Sequence, residues 1–313
     1  MIEFTCCGRR GAPNSTLPLP YGERAGARGG AVLGDVHNSC LGSLAPHPRP
    51  LSPEGGEGRT RSQRTRTVVL GVLLLALTGV ATPLRAEEPA SKPEKFDPTS
   101  RYEPRDIHGW TVLVHRTLSG DHSNLCDETL ALLRVQLYQI TRVVPQPAVD
   151  KMRKIKIWVE HIEPHHPCMC YHPDPRWLRE HDMNPEKAGA IEIANAKNFL
   201  KWTIAQPWMV LHELAHGYHH QFLDKGYDNA DVLETFRAAK EAKTYESVLR
   251  IQGRRERHYA LTNQMEYFAE ATEAYFGTND FYPYVRSELR EHDPAFEKLL
   301  GTLWSGVDPK PAK

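Results

Sequence analysis

The stretch Trp208–Phe222, WMVLHELAHGYHHQF, decides how the rest of the chain is read. Its centre, His212-Glu213-Leu214-Ala215-His216, puts two histidines four residues apart. On an α-helix that spacing sets them on one face, about 6 Å apart along the axis, so both imidazoles can reach one ion. Glu213, beside the first histidine, can face water held at that ion and act as a general base. Pro207 suits a first helical position and Gly226 the left-handed position after a last turn. Leu211, Leu214, Ala215, Tyr218 and Phe222 recur at helical spacing, which predicts a helix packed in a core. The chain holds sixteen histidines, so a chance match on a solvated helix is the competing reading, and the segments downstream weigh against it.

Of 313 residues, 39 are basic and 39 acidic, so the formal net charge is zero. No strongly basic run occurs in the C-terminal two thirds, and neither nucleic acid nor an anionic membrane surface is the expected partner. Residues 61–86, RSQRTRTVVLGVLLLALTGVATPLRA, run from a basic region through an apolar run, Val68 to Ala81, to small and polar residues. That is the layout of a secretory signal peptide, with cleavage expected near Ala86 and Glu87. The apolar run is about 14 residues, short of the roughly 20 that a permanent span needs, so no stable membrane insertion is expected after cleavage. A secreted or periplasmic location is the corresponding expectation.

Residues 1–60 precede this segment and are rich in Gly, Pro, Arg and Ser without sustained periodicity. They read as a disordered tail or as sequence mistranslated upstream of a mis-set start codon. No methionine lies between Met1 and Met152, so a downstream start requires a non-AUG codon. Residues 87–105, rich in Pro, Glu and Lys, read as a linker, and 306–313 as a disordered tail.

Setting aside residues 1–86 leaves Cys126, Cys168 and Cys170. In an exported chain, Cys126 is expected to pair with Cys168 or Cys170, leaving one thiol. Cys168-Met-Cys170 also sits among His165, His166 and His172, which makes a second metal site the alternative reading of this proline-rich loop. The spacing matches no ordinary C-x-x-C zinc knuckle.

Strands are predicted at 110–115 (WTVLVH), 155–160 (IKIWVE) and 190–194 (AIEIA), with an amphipathic helix over 127–143 carrying Leu130, Leu133, Leu137 and Ile140 on one face. The third strand, just before the HExxH helix, is read as the sheet edge along which an extended substrate pairs. Further helices are expected over 177–181, 231–243, from Asn263 to about Phe276, over 287–291 and over 294–304. A hairpin is expected around Gln252-Gly253.

HExxH supplies two ligands, and a catalytic zinc needs a third protein ligand with room left for water. The helix after Asn263 offers Glu266, Glu270 and Glu273 at i, i+4 and i+7 on one face. Tyr267, Phe268, Ala271, Ala274 and Tyr275 surround this stripe, which predicts a buried helix rather than a solvated acidic one.

The run Tyr259 to Ala271, YALTNQMEYFAEA, resembles the third-ligand segment of the anthrax lethal factor-type protease domain, pattern Y-x-x-T-N-x-x-E-F-F-A-E-A, about 50 residues after HExxH. The resemblance spans roughly residues 191–276. It implies a gluzincin in which His212, His216 and Glu266 hold Zn2+, Glu213 activates water, and Tyr259 donates to the oxyanion of the transition state. Glu270, one turn on, is implied to accept the other ring N–H of a zinc-bound histidine. A metzincin pattern needs Gly at 219 and His at 222, where the chain has His219 and Phe222. His219 is expected to pack or form a hydrogen bond.

The expectation is therefore an α+β, zincin-like metallopeptidase domain over 106–305, with a small mixed sheet packed on the HExxH helix and a mainly helical C-terminal part. It is read as a zinc endopeptidase acting on a peptide or protein substrate. The alternatives are a non-catalytic zinc-containing binding protein and a zinc amidase acting on cell-wall peptides. The oligomeric state is not read from the sequence.

Overall fold

The computed structural model describes residues 95–305, all within one compact unit. The readings of 1–60, 61–86 and 306–313, and of 87–94 within the linker, lie outside the described residues.

Residues 99–105, read as the end of a linker, are structured. A 3-10 turn at Thr99–Arg101 leads into β1 (Tyr102–Ile107), which pairs antiparallel with β2 (Trp110–His115). The Pro and charged residues of β1 conceal a strand, and edge position is what lets Pro104 sit there.

A helical crossover follows: α1 (Arg116–Ser119), α2 (Ser123–Val143) and α3 (Gln146–Met152). It delivers β3 (Ile157–Val159) parallel to β2. Then come β4 (Met169–Tyr171), α4 (Pro175–Glu180), β5 (Ile191–Ile193), α5 (Ala196–Trp202) and α6 (Met209–Phe222). The C-terminal part holds α7 (Ala230–Glu241), a hairpin of β6 (Val248–Leu249) and β7 (Arg255–Glu256), α8 (Gln264–Phe276), α9 (Arg286–His292) and α10 (Pro294–Leu303). Among the described residues no helix is long and apolar enough to cross a membrane.

The five-stranded sheet has the order β1-β2-β3-β5-β4, mixed in direction. The strand at 191–193, expected to be the edge, is interior. It is flanked by β3 and by β4, which is the edge instead. The short, proline-flanked β4 carries too little pattern to be read as a strand. Its pairing comes from the chain doubling back on β5.

Strand alternation sorts side chains onto two faces. Val112 and Val114 of β2, Ile157 and Val159 of β3, and Ile191 and Ile193 of β5 enter the main core with Leu133, Leu137 and Ile140 of α2 and Leu211 and Leu214 of α6. Leu113 and Trp158, one residue out of phase, belong to a separate cluster on the other face with Tyr102 and Ala190. Each buried leucine of α2 contributes about 1.5–3 kcal/mol of transfer free energy.

The HExxH helix α6 runs through this core, with Met209 to His219 all buried. Trp208 is its N-cap, so Pro207 lies just outside it, and it ends at Phe222. Lys225 and Gly226 then take the left-handed conformation (φ 56° and 55°). A Cβ at Gly226 would lie 2.6 Å from the His220 carbonyl oxygen, so only glycine allows this close return. Gly217 serves packing: a Cβ there would meet Ile155 Cδ1 at 2.6 Å, where α6 crosses the sheet.

The three thiols form no disulfide. Cys126, Cys168 and Cys170 are buried, with Cys126 in α2 and the other two at the β4 edge. Cys168 Sγ lies 3.5 Å from Met209 Sδ of α6, inside the apolar core rather than opposite another cysteine. The expected pairing of Cys126 with Cys168 or Cys170 is therefore not made.

Candidate metal centre

Two helices build the site. On α6 the i, i+4 spacing brings His212 and His216 together, and α8 packs across them. Asn263 caps α8, its side chain accepting from the backbone N–H groups of Met265 and Glu266 at 2.9 Å. Such a cap contributes about 1 kcal/mol and here also fixes the first turn, where Glu266 sits.

His212 Nε2 is 3.1 Å from His216 Nε2 and 3.1 Å from Glu266 Oε2, and His216 Nε2 is 3.4 Å from that same oxygen. Tetrahedral zinc, with bonds of about 2.0–2.1 Å, separates neighbouring N and O ligands by about 3.3 Å. Two imidazole nitrogens pointing at each other and at one carboxylate oxygen can share few protons, whereas all three can donate to a cation. The residues present therefore fit a zinc ion.

Glu213, between the two histidines, is 1% exposed and its Oε1 has no hydrogen-bond partner among the described residues. Burial pushes its carboxyl above the usual range, with His216 and His212 partly offsetting this. An ionisable group so placed is a candidate base. Burial also acts to raise Glu266, but the two histidines outweigh it and hold that carboxyl at about 2. Tyr259, half-buried, donates to Glu266 Oε1 at 3.4 Å. It lies in a 3-10 turn, Tyr259–Leu261, directly before α8.

The ring N–H contact expected of Glu270 is made by Glu273. His212 Nδ1 is 2.7 Å from Glu273 Oε1 and 3.8 Å from Glu270 Oε1. Glu270 instead accepts from Asn279 Nδ2 at 3.0 Å. Burial pushes the Glu273 carboxyl up to about 7, with Glu270 and Asp280 adding to the rise and His212 opposing it. Burial disfavours a charged His212, but its contacts with Glu266 and Glu273 prevail and raise it well above the ordinary histidine range. Glu273 was visible in the carboxylate stripe, yet only the offset between the two helix axes selects it. Asn279 carried no signal.

His219 packs rather than bonds. It is fully buried between Tyr227 and Phe268, ring centroids 5.1 and 4.8 Å away, and neither ring nitrogen has a hydrogen-bond partner among the described residues. Burial lowers its pKa to about 3. A separate cavity of about 500 Å³, lined by residues of α7 and α10 such as Asp231, Glu234 and Pro294, touches none of the site residues.

No family model matches the chain, and no curated protein does. Among solved structures the chain is similar to the Pro-Pro endopeptidase PPEP-2 from Paenibacillus alvei, with 16% identity over 56% of this chain and 90% of that one, at a TM-score of 0.33. That likeness is too distant to assign a fold or an activity.

Proposed function

We propose that the chain is a secreted or periplasmic zinc endopeptidase of the gluzincin kind, similar to the lethal factor-type protease domain in its ligand helix. The observation that carries this reading is the triangle of His212 Nε2, His216 Nε2 and Glu266 Oε2, with sides of 3.1–3.4 Å, beside the buried carboxylate of Glu213. A zinc ion held by these three residues supplies a Lewis acid and lowers the pKa of water toward 7.

The protein's own groups do the rest. Glu213 takes the proton from the attacking water and returns it to the leaving amine, and burial strengthens it as a base. The Tyr259 hydroxyl, at the rim of the triangle, is placed to donate to the oxygen of the scissile carbonyl as charge develops there. Glu273 fixes the ring orientation of His212 from the opposite side.

The test is zinc titration together with a cleavage profile on a proteome-derived peptide library. Wild type should bind zinc and cut peptide bonds, whereas Glu213→Gln should bind zinc and cut far more slowly. Stoichiometric zinc with no cleavage by wild type would make this a non-catalytic zinc protein. Cleavage restricted to cell-wall stem peptides would make it an amidase. Intact mass of the protein from its host should begin near Glu87 if residues 61–86 direct export.

A further inference from the structure

A second cluster of histidine, cysteine and carboxylate side chains lies on the other face of the sheet. Cys170 of β4 is in register with Glu192 of β5, and Glu192 with Trp158 of β3, so all three project away from the main core. His172 continues the β4 line, its backbone N–H donating to the Ala190 carbonyl at 3.0 Å. His166 reaches the same place from the loop before β4, its ring centroid 5.2 Å from that of His172. Ligand atoms of His166, Cys170 and His172 all lie within 4.8 Å of one another, and all three residues are buried.

We propose that His166, Cys170, His172 and Glu192 form a structural zinc site, independent of the centre on α6 and α8. The Cys170 Sγ to His172 Nε2 distance is 3.4 Å. Zinc with Zn–S of about 2.3 Å and Zn–N of about 2.1 Å sets a tetrahedral S···N separation of about 3.6 Å. The Glu192 Oε2 atom lies 2.6 Å from the same ring nitrogen and completes four donors once the ion parts them. His166 closes the remaining gap by turning its ring.

The charge balance favours a divalent ion. Lys187 Nζ bonds Glu160 Oε1 at 2.7 Å and also bonds Glu192 Oε1, which anchors that carboxylate from its far side. As zinc enters, two protons leave: the Cys170 thiol proton and the proton shared by His172 Nε2 and Glu192 Oε2. The ion's two charges then meet one thiolate and one carboxylate, while Lys187 and Glu160 compensate each other. Four protein donors leave no open position, which is the mark of a structural rather than a catalytic site. The ion would tie the proline-rich loop and the edge strand β4 to β5, directly behind α6.

Cobalt loading of the full chain tests this, because only a cysteine ligand produces an ultraviolet thiolate-to-cobalt charge-transfer band. Wild type should bind two equivalents of zinc, and its cobalt form should show that band. Cys170→Ser and His166→Ala should each lose one equivalent, and Cys170→Ser should lose the band. Cys168→Ser, whose sulfur faces Met209, should keep both equivalents and the band. Glu266→Ala should retain one equivalent with the band intact. A wild-type cobalt spectrum without the band, or Cys170→Ser still binding two equivalents, overturns the proposal. The wild-type spectrum decides even if the substituted proteins fail to fold. One equivalent with the band in wild type would uphold this site and count against the α6 centre.

Discussion

The centre on α6 and α8 and the cluster behind the sheet are both buried and rich in histidine, yet they differ in kind. The first has three donors at nearly equal spacing, one short of the four that zinc usually takes, and the buried carboxylate of Glu213 beside it. The second, as proposed, adds Glu192 to three donors and has a lysine holding that carboxylate from outside. An open position with a base suits turnover, whereas a closed set suits anchorage. The difference teaches that the number of donors gathered at one point and the carboxylate beside them, rather than the count of histidines, distinguish the two proposed roles.

The contrast is broken most directly at Glu213. Glu213→Gln should lower hydrolysis by about 10²–10⁴-fold with zinc content unchanged, because an amide cannot take the water's proton. Glu266→Ala should lose the zinc of the α6 centre as well as the activity, since two protein ligands remain there. Metal analysis beside a peptide assay separates the two outcomes, and a Glu213→Gln protein that turns over at the wild-type rate would remove the base from the α6 centre.

Next in size is stability. Zinc at 100 times its dissociation constant adds about 2.7 kcal/mol to the folded state, so Cys170→Ser in zinc buffer should melt about 5–10 °C below wild type. Its peptide hydrolysis below that temperature should persist. Calorimetry on both proteins, with and without zinc, checks this. Equal melting temperatures in zinc would mean that the cluster behind the sheet anchors nothing.

Within the α6 centre, Glu273→Ala should weaken zinc binding or activity by about 10 to 100-fold, the usual effect of losing the partner that orients a ligand histidine. Glu270→Ala should have the smaller effect on the metal, because Glu270 bonds Asn279 and lies 3.8 Å from His212 Nδ1. Competition titration against a chromogenic chelator ranks them. The reverse order would return the orienting role to Glu270.

The smallest effect is expected at His219, whose folded-state pKa of about 3 lies below the ordinary value of 6.5. Between those values the unfolded chain binds a proton that the folded protein refuses. The sign follows: stability is full above pH 6.5 and falls as pH drops toward 3, by at most about 1.4 kcal/mol per pH unit from this group. His219→Leu should remove that slope and be neutral or stabilising at pH 7, since no hydrogen bond is lost. Urea unfolding at several pH values measures it, and an unchanged slope would show that His219 is not the group responsible.

Much of the α6 centre was legible before any coordinates. The i, i+4 histidines, the glutamate between them, the capped helix after Asn263 and its carboxylate stripe are all local patterns, and a helix converts spacing into geometry through its own backbone hydrogen bonds. The strands at 110–115 and 155–160 were legible for a similar reason, since β-branched runs announce themselves. By contrast, β1 was hidden by its proline and charges and β4 by its shortness, and with β4 went the correct identity of the sheet edge.

What the chain's own order settled is thus that His212, Glu213 and His216 share one helix and that Glu266, Glu270 and Glu273 line the next, because each depends on contacts within a few turns. Tertiary structure alone decided that Glu273 rather than Glu270 meets His212, since carboxylates one turn apart on α8 are told apart only by how far that helix slides along α6. It also decided that Cys170, His172 and Glu192 meet behind the sheet: a strand fixes which face a side chain takes, but its partner across the sheet comes from register with a strand 20 residues away.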